Sequence, residues 1–355
     1  MLRWAAITGA ALSASMALAG DLRTLRGHGG PVMDVAVAPG GDMALTASFD
    51  NSVGLWDLAT GAPRWLDGHQ AAVKVATFLP GGGAASAGDD FAIQVWDLDA
   101  MTARLRLTGH QGQINGLAAG WDGAVGLWDL ETGERIALMR GHDGPVNDVA
   151  FADGGRLVYS ASADGTIRTW DVATRSAGRI VLRHGFGVTR LLADEAAGWM
   201  VYGAVDGGTR VVGLPDGQVI ADLTLDRRPI LALAASPDGT RVAVGDGEGY
   251  IMILSTADWS VVRDFRAALR GPIWALAFGA DGSDLLAGGI DDAVAIWPMA
   301  GDPGAPQMGL TQRSFLTAPE KMTNGERQFA RKCSICHSLT DDGVRRAGPN
   351  LAGLF

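Results

Sequence analysis

The sequence predicts an all-β chain built from seven similar units joined in a ring, with a short helical segment after them. Three observations carry this. Gly-His and Trp-Asp pairs recur through the first half of the chain, and an apolar rhythm carries the spacing on to residue 298, at a period of about 40–45 residues, the length of a four-stranded repeat. Within a period, apolar and polar residues alternate and are then broken by Gly, Pro, Asn or Asp, as half-buried strands and their turns require. Glycine is abundant, 51 of 355 residues, with no three-residue period, so it marks tight turns.

The Gly-His pairs end at His28, His69, His110 and His142, and the Trp-Asp pairs begin at Trp56, Trp96, Trp128 and Trp170, with gaps of 28, 27, 18 and 28 residues. The Trp position then falls on Val212, Leu254 and Trp297, in steps of 42, 42 and 43. In the first unit Val35 and Val37 alternate with Asp34 and Ala36. Pro39-Gly40-Gly41-Asp42 is a turn, 43–48 a second strand, Asp50-Asn51 another turn and 52–56 a third strand. These features resemble WD40 repeats. The resemblance covers residues 20–298 and implies a seven-bladed β-propeller. It also implies a hydrogen-bonded set inside a blade, formed by a His, a Ser or Thr, an Asp and the Trp. The matching residues are His28, Thr46, Asp50 and Trp56 in blade 1, His69, Ser86, Asp90 and Trp96 in blade 2, and His142, Ser160, Asp164 and Trp170 in blade 4. Buried polar groups need partners, so these residues read as structural and not catalytic.

Later blades drift. Blade 5 keeps His184 and Asp206 but has Val212 for Trp, and blade 6 has Glu248 and Leu254 with no His. Blade 7 keeps Asp291 and Trp297, with Ala287 where the hydroxyl belongs. Blade 3 is about ten residues short between His110 and Trp128, so either it has three strands or it carries a local deletion. Residues 21–26 look like an outer strand with no blade of their own and are expected to complete blade 7 and close the ring.

Residues 299–321, with Pro303, Pro306 and Pro319, read as a linker. After it comes Cys333-Ser334-Ile335-Cys336-His337, the C-x-x-C-H attachment pattern of c-type haem. Two thiols add to the haem vinyl groups, and the adjacent imidazole reaches the iron. Gly325 and Phe329 precede the motif, and Gly348-Pro349-Asn350-Leu351 follows it. Residues 322–355 thereby resemble the N-terminal part of a class I, mitochondrial-type cytochrome c. The resemblance implies one covalent haem on Cys333 and Cys336, His337 as iron ligand, and Pro349 packed against that ring. That family's distal Met lies well past this point, so the segment looks truncated. The sixth ligand is then expected to be water or an exogenous group, with Met308 and Met322 poorly placed to serve.

Residues 1–19 read as a cleaved secretory signal, with Arg3 before an apolar run and Ala17-Leu18-Ala19 as the cleavage site. No other apolar run approaches the length of a membrane span. Net charge is −10, against nucleic acid as a partner. Residues 320–355 carry six basic and four acidic side chains, a contrast that could steer a partner or dock the segment on the propeller. The blades and the haem motif absorb all six histidines, and no catalytic constellation stands out. The chain is therefore expected to be a periplasmic, electron-carrying c-type cytochrome with a redox partner protein, its propeller binding that partner or positioning the haem. Two alternatives stand beside this: a periplasmic oxidoreductase with substrate or a second cofactor in the propeller, and a propeller scaffold with a haem sensor.

Overall fold

The computed structural model describes residues 22–116, 118–224, 229–268, 271–300 and the single position 351. Among them the chain forms seven four-stranded antiparallel sheets and no α-helix. The innermost strands are Val32–Val37, Val73–Phe78, Ile114–Gly116, Val146–Ala152, Val188–Asp194, Ile230–Ala235 and Ile273–Phe278, and each neighbours the next around a central axis. From each, the sheet runs outward through its next three strands in sequence order, except in blade 7. There the outer strand is Arg23–Arg26, antiparallel to Ala293–Pro298 and paired Arg23 with Ile296 through Arg26 with Ala293. The closure expected from the unmatched N-terminal strand is thus present.

Sheets packed on both faces explain the burial pattern. Second and third strands such as Met43–Ser48 and Ser52–Asp57 lie between two neighbouring blades and are buried almost throughout, with no alternation. Outer strands such as Val261–Arg266 are largely exposed. The core is divided into inter-blade layers. One holds Leu45, Leu55 and Leu66 of blade 1 against Val73, Ala84 and Trp96 of blade 2.

Blade 3 decides between the two sequence readings in favour of a local deletion. It has four strands, but the first two are Ile114–Gly116 and Ala119–Gly120, only three and two residues long. The deletion shortens a hairpin instead of removing a strand. The expected helical cytochrome segment, residues 322–355, and the signal segment, residues 1–19, lie outside the described residues, Leu351 excepted.

The innermost strands share one irregularity. In all seven blades the register shifts between the first and third residues, at Val32/Asp34, Val73/Val75, Ile114/Gly116, Val146/Asp148, Val188/Arg190, Ile230/Ala232 and Ile273/Ala275. Such a shift bends the strand and re-aims the next side chain. The third residue is Asp34, Asp148 or Arg190 in three of the blades.

Alternating strand directions define the two ends of the ring. The turns between second and third strands and the loops that enter each blade share one end, called here the entry end. The described chain begins and stops at the opposite end, because Arg23–Arg26 runs toward the entry end and Ala293–Pro298 away from it.

Candidate functional site

Two groups of polar residues inside the propeller could carry chemistry: the sets within the blades and a charged cluster on the axis. In blade 1 the His28 Nδ1 lies 3.0 Å from Asp50 Oδ2, and its Nε2 lies 2.6 Å from Thr46 Oγ1. The Trp56 indole N–H donates to the same hydroxyl at 2.7 Å. Blade 2 repeats this with His69, Asp90, Ser86 and Trp96 at 3.0, 2.7 and 2.7 Å. Blade 4 does so with His142, Asp164, Ser160 and Trp170 at 2.8, 2.6 and 2.7 Å. The sequence reading identified all twelve residues.

A hydroxyl, an imidazole and a carboxylate in a row have the connectivity of a hydrolytic triad. Burial excludes that use here. Thr46, Ser86 and Ser160 have no solvent exposure, so no substrate reaches the oxygen. Its lone pair also accepts from the indole, which leaves the hydroxyl proton to go to the imidazole. Burial would push the Asp50 carboxyl up, but hydrogen bonds from His28, Ser52 and Gly29 outweigh it and hold Asp50 at about 2. Asp90 and Asp164 are held at about 2 in the same way. In these three blades the set ties the entry loop to the second and third strands.

Where the hydroxyl is missing the set fails in an instructive way. Ala118 occupies its place in blade 3, at φ 94°. His110 still pairs with Asp122 at 3.0 Å, but His110 Nε2 and Trp128 Nε1 are buried without partners. The Trp128 ring turns its six-membered edge to Gly126, where a Cβ would sit 2.1 Å from Cη2, whereas Trp56 in blade 1 turns Nε1 to the matching Gly54. In blade 7 Ala287 likewise leaves Trp297 Nε1 without a partner. Blade 5 holds a variant set, of which the sequence reading had His184 and Asp206 but missed Tyr202 and Arg210. Tyr202 replaces the small hydroxyl residue, with its OH 3.2 Å from His184 Nδ1, while Arg210 donates to that nitrogen at 2.7 Å and His184 Nε2 faces Asp206 at 3.0 Å. Its signal was the position of Tyr202, four residues before Asp206 as Thr46 is before Asp50.

The axial cluster was not anticipated at all. A cavity of about 290 Å³ is walled by residues from all seven innermost strands, among them Asp34, Thr77, Asp148, Arg190 and Trp274. Asp34 Oδ2 accepts the Ala76 N–H at 3.1 Å. Asp148 accepts from Val149 at 2.9 Å and from Leu191 at 3.0 Å. Arg190 Nε donates to the Leu231 carbonyl at 2.8 Å. Asp34, Asp148 and Arg190 thus each latch their own blade to the next. Burial pushes Asp34 up to about 6 despite Arg190, and it raises Asp148 against the same guanidinium. Among the described residues no group of three or more His, Cys, Asp or Glu could hold a metal ion.

At the entry end several aromatic side chains stand in solvent: Phe91 at 45%, Trp121 at 56% and Phe186 at 59% exposure, beside Val205 and Ile290. Phe151 is exposed near the opposite end.

The model of the WD domain, G-beta repeat family matches residues 20–57, 133–171 and 259–298. The chain carries WD40 repeats, matched in these three segments. The WD40 propeller is similar over 254 residues to the U3 small nucleolar RNA-associated protein 15 homolog of Gallus gallus, at 27% identity, covering 70% of this chain and 42% of that protein. It is 27% identical over 225 residues to U3 small nucleolar RNA-associated protein 15 of Schizosaccharomyces pombe, covering 59% and 45%. A shorter match, 35% over 94 residues, is to ribosome biogenesis protein YTM1 of Chaetomium thermophilum, covering 23% of this chain and 19% of that one. The chain spans less than half the length of these relatives.

These relatives correct the functional expectation. They are WD40 proteins named for ribosome biogenesis and small nucleolar RNA, not cytochromes. The reading as an electron-carrying haem cytochrome of the periplasm is therefore overturned in function, in class and in location. It had extended the chemistry of the last 35 or so residues to the whole chain, whereas the similarity follows the propeller. Cys333, Cys336, His337 and Pro349 lie outside the described residues. No helix among the described residues is long and apolar enough to cross a membrane.

Proposed function

We propose that the chain is a WD40 scaffold that binds partner proteins at its entry end. The observation that carries this is the exposure of Trp121 and Phe186 at the end to which neither flanking segment attaches. Exposed aromatic side chains of this kind anchor protein interfaces. The names of the relatives suggest ribosome-assembly machinery as the company such a scaffold keeps. A net charge of −10 favours a protein of that machinery over its RNA. The test is affinity purification of the full chain, wild type against Trp121→Asp with Phe186→Asp, with Phe151→Asp as a control at the other end. The double variant should lose a defined set of proteins that the control keeps. Identical sets from all three would refute the entry-end assignment.

The covalent haem is a separate proposal, resting on the spacing of Cys333, Cys336 and His337 alone. Such a haem would be a group borne by the scaffold. It should survive acid–acetone extraction of the wild type and be absent from the variant with Cys333→Ala and Cys336→Ala. Extraction of all haem from the wild type would end this reading.

A further inference from the structure

We propose that the axial cavity receives the ammonium group of a lysine side chain, carried by the partner protein of the scaffold. The proposal rests on that scaffold reading only for what carries the lysine.

The cavity's walls come from every blade, and their charges do not cancel. Two carboxylates, Asp34 and Asp148, face one guanidinium, Arg190. All three are placed by the strand irregularity that immediately precedes them. All three are also tied to the next blade through backbone groups. They cannot swing away from the axis without opening an inter-blade seam, so the site is built before a guest arrives. With both carboxylates ionised the cavity carries one unbalanced negative charge, which a monocation neutralises.

Geometry selects ammonium over guanidinium. Asp34 already spends one carboxylate oxygen on the Ala76 N–H, and Asp148 has both oxygens engaged by Val149 and Leu191. Neither offers the two free oxygens in one plane that an arginine fork requires. A compact ammonium with rotatable donors can take the remaining lone pairs one at a time. Thr77 adds a hydroxyl, and Leu233, Leu276 and Trp274 supply apolar wall for a methylene stem. At about 290 Å³ the cavity suits one side chain, falling just under the range of pockets for drug-sized ligands.

The test uses the full chain and Nα-acetyl-lysinamide as probe, read by amide NMR. The Ala76 and Leu191 N–H signals, which report on Asp34 and Asp148, should move on titration, with an affinity on the order of millimolar. Asp34→Asn keeps an acceptor for Ala76 and should weaken binding about tenfold or more. Thr77→Lys places an ammonium inside the cavity and should abolish the response in a folded protein, which covers the case in which Asp34→Asn unfolds. Equal shifts with the neutral Nα-acetyl-norleucinamide would overturn the proposal, and so would tighter binding of Nα-acetyl-argininamide or no shift with the lysine probe. Lysine binding retained while the Trp121 and Phe186 variants keep every partner would sink the scaffold assignment and leave the cavity assignment standing.

Discussion

Blades 3 and 4 are neighbours, and both keep the His, Asp and Trp of the WD40 set. Only blade 4 has the hydroxyl, Ser160, which joins His142 to Trp170. Trp170 is wholly buried, whereas Trp128 is partly exposed and its indole N–H is orphaned. The small hydroxyl, not the Trp, is what makes the four residues one unit. Without it the His–Asp pair survives at 3.0 Å, but His110 Nε2 and Trp128 Nε1 are both left buried without partners.

Four experiments break or sharpen this contrast. The largest effect should come from Trp170→Ala, which empties a fully buried site and should cost about 3–5 kcal/mol in urea unfolding. Trp128→Ala should cost about half as much or less, and equal losses would contradict the contrast. Next is Ser160→Ala, which orphans His142 Nε2 and Trp170 Nε1 together and should cost about 2–3 kcal/mol. It should also turn blade 4 into a copy of blade 3, seen as a change in Trp170 fluorescence.

The third is the pH dependence of stability. Burial lowers the His142 pKa, with Asp164 only partly offsetting it. The unfolded imidazole therefore binds a proton first, and stability falls as pH drops below about 6.5. Asp164, at about 2, gives a second loss as pH drops from 3.8 toward 2. Asp34 has the opposite sign: raised to about 6, it costs stability as pH rises from 3.8 through 6. Asp34→Asn should flatten that rising-pH loss and leave the two acid losses in place, which unfolding curves at several pH values will show. The smallest effect belongs to Ala118→Ser. The backbone there has φ 94°, away from the strand geometry that aims Ser160 at its partners, so the new hydroxyl should gain nothing measurable by melting temperature.

The repeat count, the three complete polar sets and the closing strand were legible because each depends on spacing within about one repeat, or on one strand left over. Blade 3 was half legible. Its gap of 18 showed a loss, but a two-residue strand such as Ala119–Gly120 has no pattern of its own. The axial cluster was not legible. Asp34, Asp148 and Arg190 sit in three separate repeats, and only the curvature of a closed ring brings them together. In sequence each is one polar residue in an alternating strand, the commonest pattern there is. The functional error had a similar origin. Cys333-x-x-Cys336-His337 is a sharp local signal, whereas exposed aromatic side chains such as Trp121 and Phe186, brought to one end from different blades, leave none.

The strand that closes the ring is also the first part of the propeller to leave the ribosome. Arg26 must wait for Ala293, its partner in register. At typical elongation rates of about 5–20 residues per second, the interval is roughly 15–50 s. For that time Arg23–Arg26 is an edge with nothing to pair with, and every blade made in between stands in an open arc. Its sequence, Arg-Thr-Leu-Arg, puts a cation at each end of a four-residue strand, which discourages pairing with a stranger. The nascent chain is thus protected during its most vulnerable interval by the same two arginines that later flank the seam.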